Sequence, residues 1–168
     1  MNSSIFLVII FLLASCKKEG YTDLHALNYD NEATKDNGSC NYQSERFVGL
    51  YNLTDNFYGG MIPDKWISER TYTIEIKQDY KNNSQLVIIN WANLRSNTAD
   101  HNENSIQVFA EVEENTFMIA NQDILNTDDY MARASQGELI GDSIYFNFEY
   151  TNFFGEVFWG AVSGKRIE

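Results

Sequence analysis

Apolar and polar side chains alternate along most of the chain from Arg46 to Glu168. The pattern is strict in three segments, "YTIEIK" at 72–77, "SIQVFAEV" at 105–112 and "SIYFNFEY" at 143–150. Successive side chains of a strand point to opposite faces of a sheet, so this period of two indicates strands with one buried face. Such half-buried strands are typical of antiparallel sheets.

The alternating segments, separated by turn residues, predict eight strands. We expect them at about 46–54, 69–79, 84–92, 105–112, 115–121, 131–140, 143–152 and 155–166. The links Glu113–Asn115 and Gly141–Ser143 are short enough to require hairpins, so strands that follow one another in sequence should pair. The sequence therefore predicts an all-β fold, in which an eight-stranded antiparallel up-and-down barrel over 46–168 follows a small loop-rich module.

The N-terminus has a different pattern, with nine consecutive apolar residues at Ile5–Leu13. This run matches the roughly 7 to 15 residues of a signal-peptide core and is shorter than the about 20 of a membrane span. It leads into Leu13, Ala14, Ser15 and Cys16, which resemble the lipobox of bacterial lipoproteins. The resemblance implies that residues 1–15 are a lipoprotein signal peptide, that Cys16 carries fatty acyl chains such as palmitate, and that 16–20 form a lipidated tether.

This resemblance also implies a location in the cell envelope, as an outer-membrane lipoprotein held to the membrane by its N-terminal lipid. Whether it faces the periplasm or the cell surface stays open. The formal net charge of −12 argues against nucleic acid as a partner, because nucleic-acid binding requires clusters of Lys and Arg. We expect a monomer.

Between the tether and the first long strand lies a segment rich in Asp, Asn and Gly, residues 21–42. It resembles a short repeat of secreted and surface proteins of Bacteroidetes-type bacteria, approximately C-T-D-x-x-A-x-N-Y-x-x-x-A-x-x-D-x-G-S-C. The matching residues are Thr22, Asp23, Ala26, Asn28, Tyr29, Ala33, Asp36, Gly38, Ser39 and Cys40. Tyr21 replaces the first cysteine of the repeat, so the disulfide that the family implies cannot form, and the state of Cys40 is left open.

The oxygen-bearing side chains of this module have two interpretations. Asp23, Asn28, Asp30 and Asp36 could together bind Ca²⁺, which prefers six to eight oxygen ligands. Alternatively, they serve backbone hydrogen bonds in turns, which is the common role of Asp and Asn in such segments. The spacing is not that of an EF-hand, so we expect no metal or other cofactor, with Ca²⁺ as the alternative.

A second resemblance joins the two ends of the predicted barrel. "FVGLYNL" places Gly49 and Tyr51 near its start, and "VSGKR" places Arg166 near its end. This resembles the lipocalin arrangement, in which a basic residue of the last strand packs over a ring of the first, with Tyr51 here in place of tryptophan. The candidates for the barrel interior are Phe47, Tyr72, Phe117, Phe146, Phe148 and Trp159. They form either a solid core or the lining of a ligand pocket.

The sequence contains no Gly-x-Ser-x-Gly elbow, no His-Glu-x-x-His pair and no Cys-His couple, and we expect no enzymatic activity. Two functions remain. The first is a lipoprotein whose barrel holds a small apolar or sugar-like ligand. The second is an envelope interaction protein, an inhibitor or accessory subunit, with a solid barrel and binding loops. An exposed aromatic cluster around "NFYGGMIPDKW" at 56–66 would favour the second.

Overall fold

The computed structural model describes residues 18–62, 65–94, 106–124 and 130–168. Their contacts divide the chain into two units that meet at Tyr42 and Gln43. In the first unit, two short strands, β1 (Glu19–Gly20) and β2 (Lys35–Asp36), pair in parallel. The other described residues of this unit form turns, bends and irregular segments, as its Asp, Asn and Gly content predicts.

The described part of the second unit consists mainly of antiparallel strands. They are β3 (Gly49–Gly60), β4 (Trp66–Asp79), β5 (Asn82–Ile89), β6 (Gln107–Glu113), β7 (Thr116–Ile119), β8 (Gln122–Asp123), β9 (Met131–Ala132), β10 (Ser135–Ile140), β11 (Ser143–Thr151) and β12 (Val157–Arg166). Two short segments, Gln43–Phe47 and Trp91–Asn93, form 3₁₀-type turns. No helix within the described ranges is long and apolar enough to cross a membrane.

Eight of these strands close into a barrel in the order β3, β4, β5, β6, β7, β10, β11, β12. Each strand pairs with its successor among the eight, and β12 returns to pair with β3 over ten residue pairs. The predicted eight-stranded antiparallel up-and-down barrel is therefore confirmed. The short strands β8 and β9 pair with each other, and β9 also extends the edge of β11.

The barrel interior follows directly from the alternation in the sequence. In β11, the side chains of Ile144, Phe146, Phe148 and Tyr150 point inward and are buried, whereas Tyr145 on the outward parity is exposed. On the other long strands, the inward positions also carry mainly aliphatic and aromatic residues. The inward side chains of all these strands form one continuous core. Burial of this apolar surface drives the closure of the sheet.

Two predicted strands differ most from the observed ones. The segment predicted to begin at residue 46 starts with the turn Gln43–Phe47, and its strand runs from Gly49 to Gly60. The segment predicted at 131–140 divides into β9 and β10, which pair with different neighbours. In both cases, apolar residues in a turn or at a break continue the alternation of the neighbouring strand. The sequence pattern alone therefore does not show where the strand begins or is interrupted.

We call the end at which β3 begins and β12 ends the base of the barrel. Here Arg166 lies opposite Tyr51 in the strand register, with its guanidinium carbon 5.3 Å from the centre of the Tyr51 ring. Arg166 Nη2 donates to the Tyr51 hydroxyl at 2.7 Å, and that hydroxyl donates to the Phe47 carbonyl at 2.9 Å. Gly49 lies beside this contact, where an added Cβ would approach the Glu168 carbonyl to 2.5 Å. The structure thus brings together the three residues of the lipocalin resemblance.

Candidate functional site

The opposite end, where β3 ends and β12 begins, is the top of the barrel. Its interior contains a cluster of rings in contact with one another, which we call the top cluster. Its members are Phe57, Trp91, Tyr130, Phe148, Tyr150 and Phe158. Phe57 and Phe158 stack at 5.7 Å between ring centres, and Tyr150 and Phe158 stack at 5.1 Å.

A glycine makes room for these rings. Gly160 lies between Phe57 of β3 and Phe148 of β11 in the strand register. A Cβ added to Gly160 would lie 2.5 Å from two atoms of the Phe148 ring. The ring of Phe148 therefore occupies the volume that a side chain at 160 would need.

An ion pair lies within the aromatic top cluster. Asp55 of β3 and Arg70 of β4 are cross-strand partners on the inward face. Arg70 donates from Nε at 2.9 Å and from Nη2 at 2.6 Å to the two carboxylate oxygens of Asp55. Asp55 is fully buried, Arg70 keeps 17% of its side-chain exposure, and the guanidinium lies 3.8 Å above the centre of the Phe57 ring. This bidentate geometry and the ring face compensate part of the cost of burying two charges.

Two buried polar atoms lie beside this pair, and one of them, the Tyr72 hydroxyl, is within reach of the Asp55 carboxylate. The Tyr72 hydroxyl and Trp91 Nε1 are buried and make no hydrogen bond of good geometry within the described part of the chain. The ring of Tyr72 lies 5.7 Å from the guanidinium carbon of Arg70, and Trp91 contacts Phe148 at 5.7 Å. Burial raises the pKa of the Tyr72 hydroxyl well above its ordinary value, and the nearby Asp55 carboxylate raises it further. Both groups are therefore neutral hydrogen-bond donors at physiological pH.

The backbone that holds Trp91 is strained. Asn90, Ala92 and Asn93 all have positive φ angles of 50° to 60°, in the left-handed region that residues other than glycine rarely adopt. Asn90 Nδ2 donates to the Thr73 carbonyl at 2.8 Å, which fixes the turn against β4. Strain of this kind concentrates at functional sites, where the surrounding structure holds it in place.

The structure places five of the six predicted interior residues in the core. Phe47, Tyr72, Phe117, Phe146 and Phe148 are all buried there. The prediction for Trp159 is wrong. Trp159 lies on the outer face, paired with Glu149 in the register and stacked on Tyr58 at 4.2 Å, while its neighbour Phe158 points inward.

The predicted set missed Asp55 and Arg70. A signal for them exists in the sequence, because Asp55 shares the inward parity of Tyr51 and Leu53, and Arg70 shares that of Tyr72 and Ile74. A charged residue at an inward position on each of two neighbouring strands, with opposite signs, indicates a buried pair. Which pairs of positions face each other depends on the hairpin between the strands, and only the structure gives that register.

Two hairpin tips at the top expose apolar side chains. The tip between β3 and β4 exposes Met61, Ile62 and Trp66, and the tip between β11 and β12 exposes Phe153 and Phe154. The exposed fraction of these five residues ranges from 57% to 89%. Exposed apolar residues are therefore present in and around "NFYGGMIPDKW", although Phe57 of that segment belongs to the top cluster.

In the N-terminal module, the four candidate calcium ligands serve local hydrogen bonds. Asp23 accepts from the Tyr42 hydroxyl at 2.6 Å, which lowers the pKa of its carboxyl, and Asp30 forms an ion pair with Lys18 at 2.9 Å. Asn28 bridges to the Ser39 carbonyl, and Asp36 accepts from the Gly38 amide. Among the residues described, no three His, Cys, Asp or Glu side chains are grouped so that they could share a metal ion.

The predicted acylation site, Cys16, lies outside the described residues, as does the predicted signal peptide. Cys40 lies inside them and is half-buried as a free thiol.

Comparison with known proteins identifies no family for this chain. No family model matches the chain, and no curated protein sequence matches it. A protein of unknown function from Bacteroides ovatus aligns with 72% of this chain and 42% of its own, at 8% identity and a TM-score of 0.47. A protein of unknown function from Nostoc punctiforme, of the DUF3598 family, aligns with 73% of this chain and 48% of its own, at 14% identity and a TM-score of 0.45. The chain thus spans less than half the length of each.

Proposed function

We propose that this protein is a lipid-anchored, non-enzymatic protein of the cell envelope whose barrel binds a small, uncharged, largely apolar molecule at its top. The observation that carries the proposal is Trp91 Nε1, a buried donor with no hydrogen-bond partner among the described residues. It lies in the same cluster as the Tyr72 hydroxyl, which is within reach of the Asp55 carboxylate but outside good hydrogen-bond geometry. A buried polar group without a partner costs about 1 to 3 kcal/mol, so such groups usually indicate a missing ligand or water.

The chemistry of the top selects the class of ligand. Arg70 directs Nε and Nη2 to Asp55, so the charges of this pair largely balance. Trp91 Nε1 and the Tyr72 hydroxyl are neutral donors, which suit an acceptor atom on the ligand. The surrounding rings favour an apolar body. The ligand should therefore be uncharged, carry an acceptor and have an apolar body. A compound with a carbonyl or ether oxygen on an apolar ring or chain meets these three conditions, whereas a charged ligand would disturb the balance of the ion pair.

Binding of Prodan, a neutral naphthyl ketone, tests the proposed site. We expect the full-length protein to bind it with a blue shift of its emission, because the ketone oxygen accepts from Tyr72 inside an apolar cluster. Tyr72→Phe removes only the hydroxyl and should weaken binding about three- to tenfold, the loss of one neutral hydrogen bond. Titration of the fluorescence measures the dissociation constants of the wild type and the variant.

Tyr80→Phe is the matched control, because Tyr80 is 86% exposed and lies in the hairpin between β4 and β5 at the base. It should bind Prodan as the wild type does. A wild type that fails to shift the emission would overturn the ligand proposal, and so would equal affinities for wild type and Tyr72→Phe.

The second candidate function, an envelope interaction protein, is favoured by the exposed side chains of the two hairpin tips. Apolar patches of this kind commonly mark surfaces that contact other molecules. The Prodan titration separates the two candidates. If Phe153→Ser combined with Phe154→Ser removes Prodan binding and Tyr72→Phe does not, the tips bind the probe and the second candidate takes precedence.

The lipid anchor is tested independently by Cys16→Ala. This variant should accumulate as an unprocessed precursor without labelled fatty acid, because the thiol is the proposed acyl acceptor. Incorporation of labelled palmitate is measured in cells that express the wild type, Cys16→Ala or Cys40→Ala. The last variant should label normally. Normal labelling of Cys16→Ala would refute the anchor.

A further inference from the structure

A trough of about 590 Å³ lies on the outer face of the barrel, away from the top. It crosses β3, β12, β11 and β10, and its floor is formed in part by the small side chain of Ala161 on β12. The residues with polar side chains that surround it on these four strands are Thr54, Asn56, Gln136, Glu138, Asn147 and Ser163. The ring of Tyr145 completes the lining and is 42% exposed.

The strand register arranges these groups as a lattice. Glu138, Tyr145, Ser163 and Thr54 form one row across the four strands. Asn147, Ala161 and Asn56 form part of the next row. Neighbouring strands are about 4.8 Å apart and rows on one face about 7 Å apart, so the rigid sheet fixes the positions of the hydrogen-bonding groups. A site on strands is held more precisely than a site on loops.

The trough also differs from the rest of the surface in charge. The chain has a net charge of −12, yet Glu138 is the one charged residue in the trough lining. None of the six polar side chains, nor the Tyr145 hydroxyl, hydrogen-bonds to another residue in the described ranges. Their donors and acceptors are therefore all available to a ligand. Amide groups supply both a donor and an acceptor, and hydroxyl groups do the same.

We infer that this trough binds a short neutral oligosaccharide. Sugar hydroxyl groups both donate and accept, which matches the mixture of Asn, Gln, Ser and Thr at fixed spacing. The apolar face of a sugar ring packs on an exposed aromatic ring, and Tyr145 supplies one with a polar hydroxyl at its edge. The volume falls within the roughly 300 to 1,000 Å³ of small-molecule sites. The inference concerns a different surface from the proposed barrel site and does not depend on it.

Saturation-transfer NMR with the full-length protein tests the inference. The panel is maltotetraose, cellotetraose, chitotetraose and mannotetraose. A lipid-anchored protein needs a detergent to stay in solution. We choose lauryldimethylamine oxide, because its head group is not a sugar and cannot compete with the panel. We expect saturation transfer to at least one of these sugars, strongest at the ring C–H protons that face Tyr145. Binding should persist in 0.5 M NaCl, since a neutral ligand makes no salt-screened contact.

Three variants locate the site. Tyr145→Ala should weaken binding about three- to tenfold by removal of the ring, and Ala161→Trp should abolish it by filling the floor. Tyr80→Ala removes a ring that is 86% exposed outside the trough and should bind as the wild type does. No transfer to any sugar of the panel would overturn the inference, as would unchanged binding by Ala161→Trp or loss of binding in salt. Circular dichroism of each variant confirms that the barrel remains folded.

Discussion

Replacing Phe148 with alanine is expected to lower the free energy of unfolding by about 3 to 5 kcal/mol. The Phe148 ring is 1% exposed and contacts Phe57, Trp91 and Tyr150 at 5.7 to 6.2 Å between ring centres. Because Gly160 lies opposite and has no side chain to move into the gap, the cavity should not collapse. Urea unfolding followed by circular dichroism measures the change.

Phe153→Ala is the matched control, because Phe153 is 73% exposed on a hairpin tip. Its effect should stay within about 0.5 kcal/mol, as for most surface substitutions. If Phe148→Ala costs less than about 1 kcal/mol, the ring does not pack against a filled core. The volume beside it is then already open.

Replacing Asp55 with asparagine is expected to cost about 3 to 5 kcal/mol, because it leaves the Arg70 cation without a counter-charge inside the barrel. The two side chains have nearly the same shape, so packing is kept, while the negative charge and one of the two oxygens that accept from Arg70 are lost. Arg70 keeps 17% of its side-chain exposure and can turn partly toward water, which places the expected loss at the lower end of this range. Urea unfolding again gives the free energy.

The double variant Asp55→Leu with Arg70→Met, which replaces both charged groups with apolar side chains, tests whether the unpaired charge causes the loss. Because it removes the cation as well, its stability should return to within about 1 kcal/mol of the wild type. A double variant as unstable as Asp55→Asn would show that the lost carboxylate contacts, rather than the isolated guanidinium, account for the effect.

The barrel could be predicted because its strands have one buried face. In β11, the inward positions Ile144, Phe146, Phe148 and Tyr150 alternate with outward Tyr145, Asn147 and Glu149, and this pattern determines both the strand and its orientation. The short links between strands indicate sequential pairing, and eight sequential strands suffice for closure. The contact of Tyr51 with Arg166 was predicted from the lipocalin resemblance instead, and closure of the barrel brings together the strand ends on which the two residues lie.

Alternation fails where two aromatic residues are adjacent. Phe158 and Trp159 fit either face equally well, and Gly160 gives no indication of direction. Pairing with β3 and β11 determines which of the two faces inward. Gly160 must lie beneath the Phe148 ring, so Phe158 faces inward and Trp159 outward. The outer trough has no signal in the sequence at all. Thr54, Gln136, Asn147 and Ser163 come from four strands and form no motif, so only the register brings them together.

The pairing of β3 with β12 closes the barrel, so the barrel cannot be complete before this pairing forms. This pairing joins Tyr51 to Arg166, two residues near opposite ends of the barrel sequence, so the ring closes last and only on a chain that is whole. Until β12 is available, the sheet has free edges at β3 and β11, and exposed strand edges pair readily with other chains. Loop closure over so many residues also slows folding. We therefore expect synthesis interrupted before β12 to leave an open sheet with unpaired edges rather than a smaller barrel.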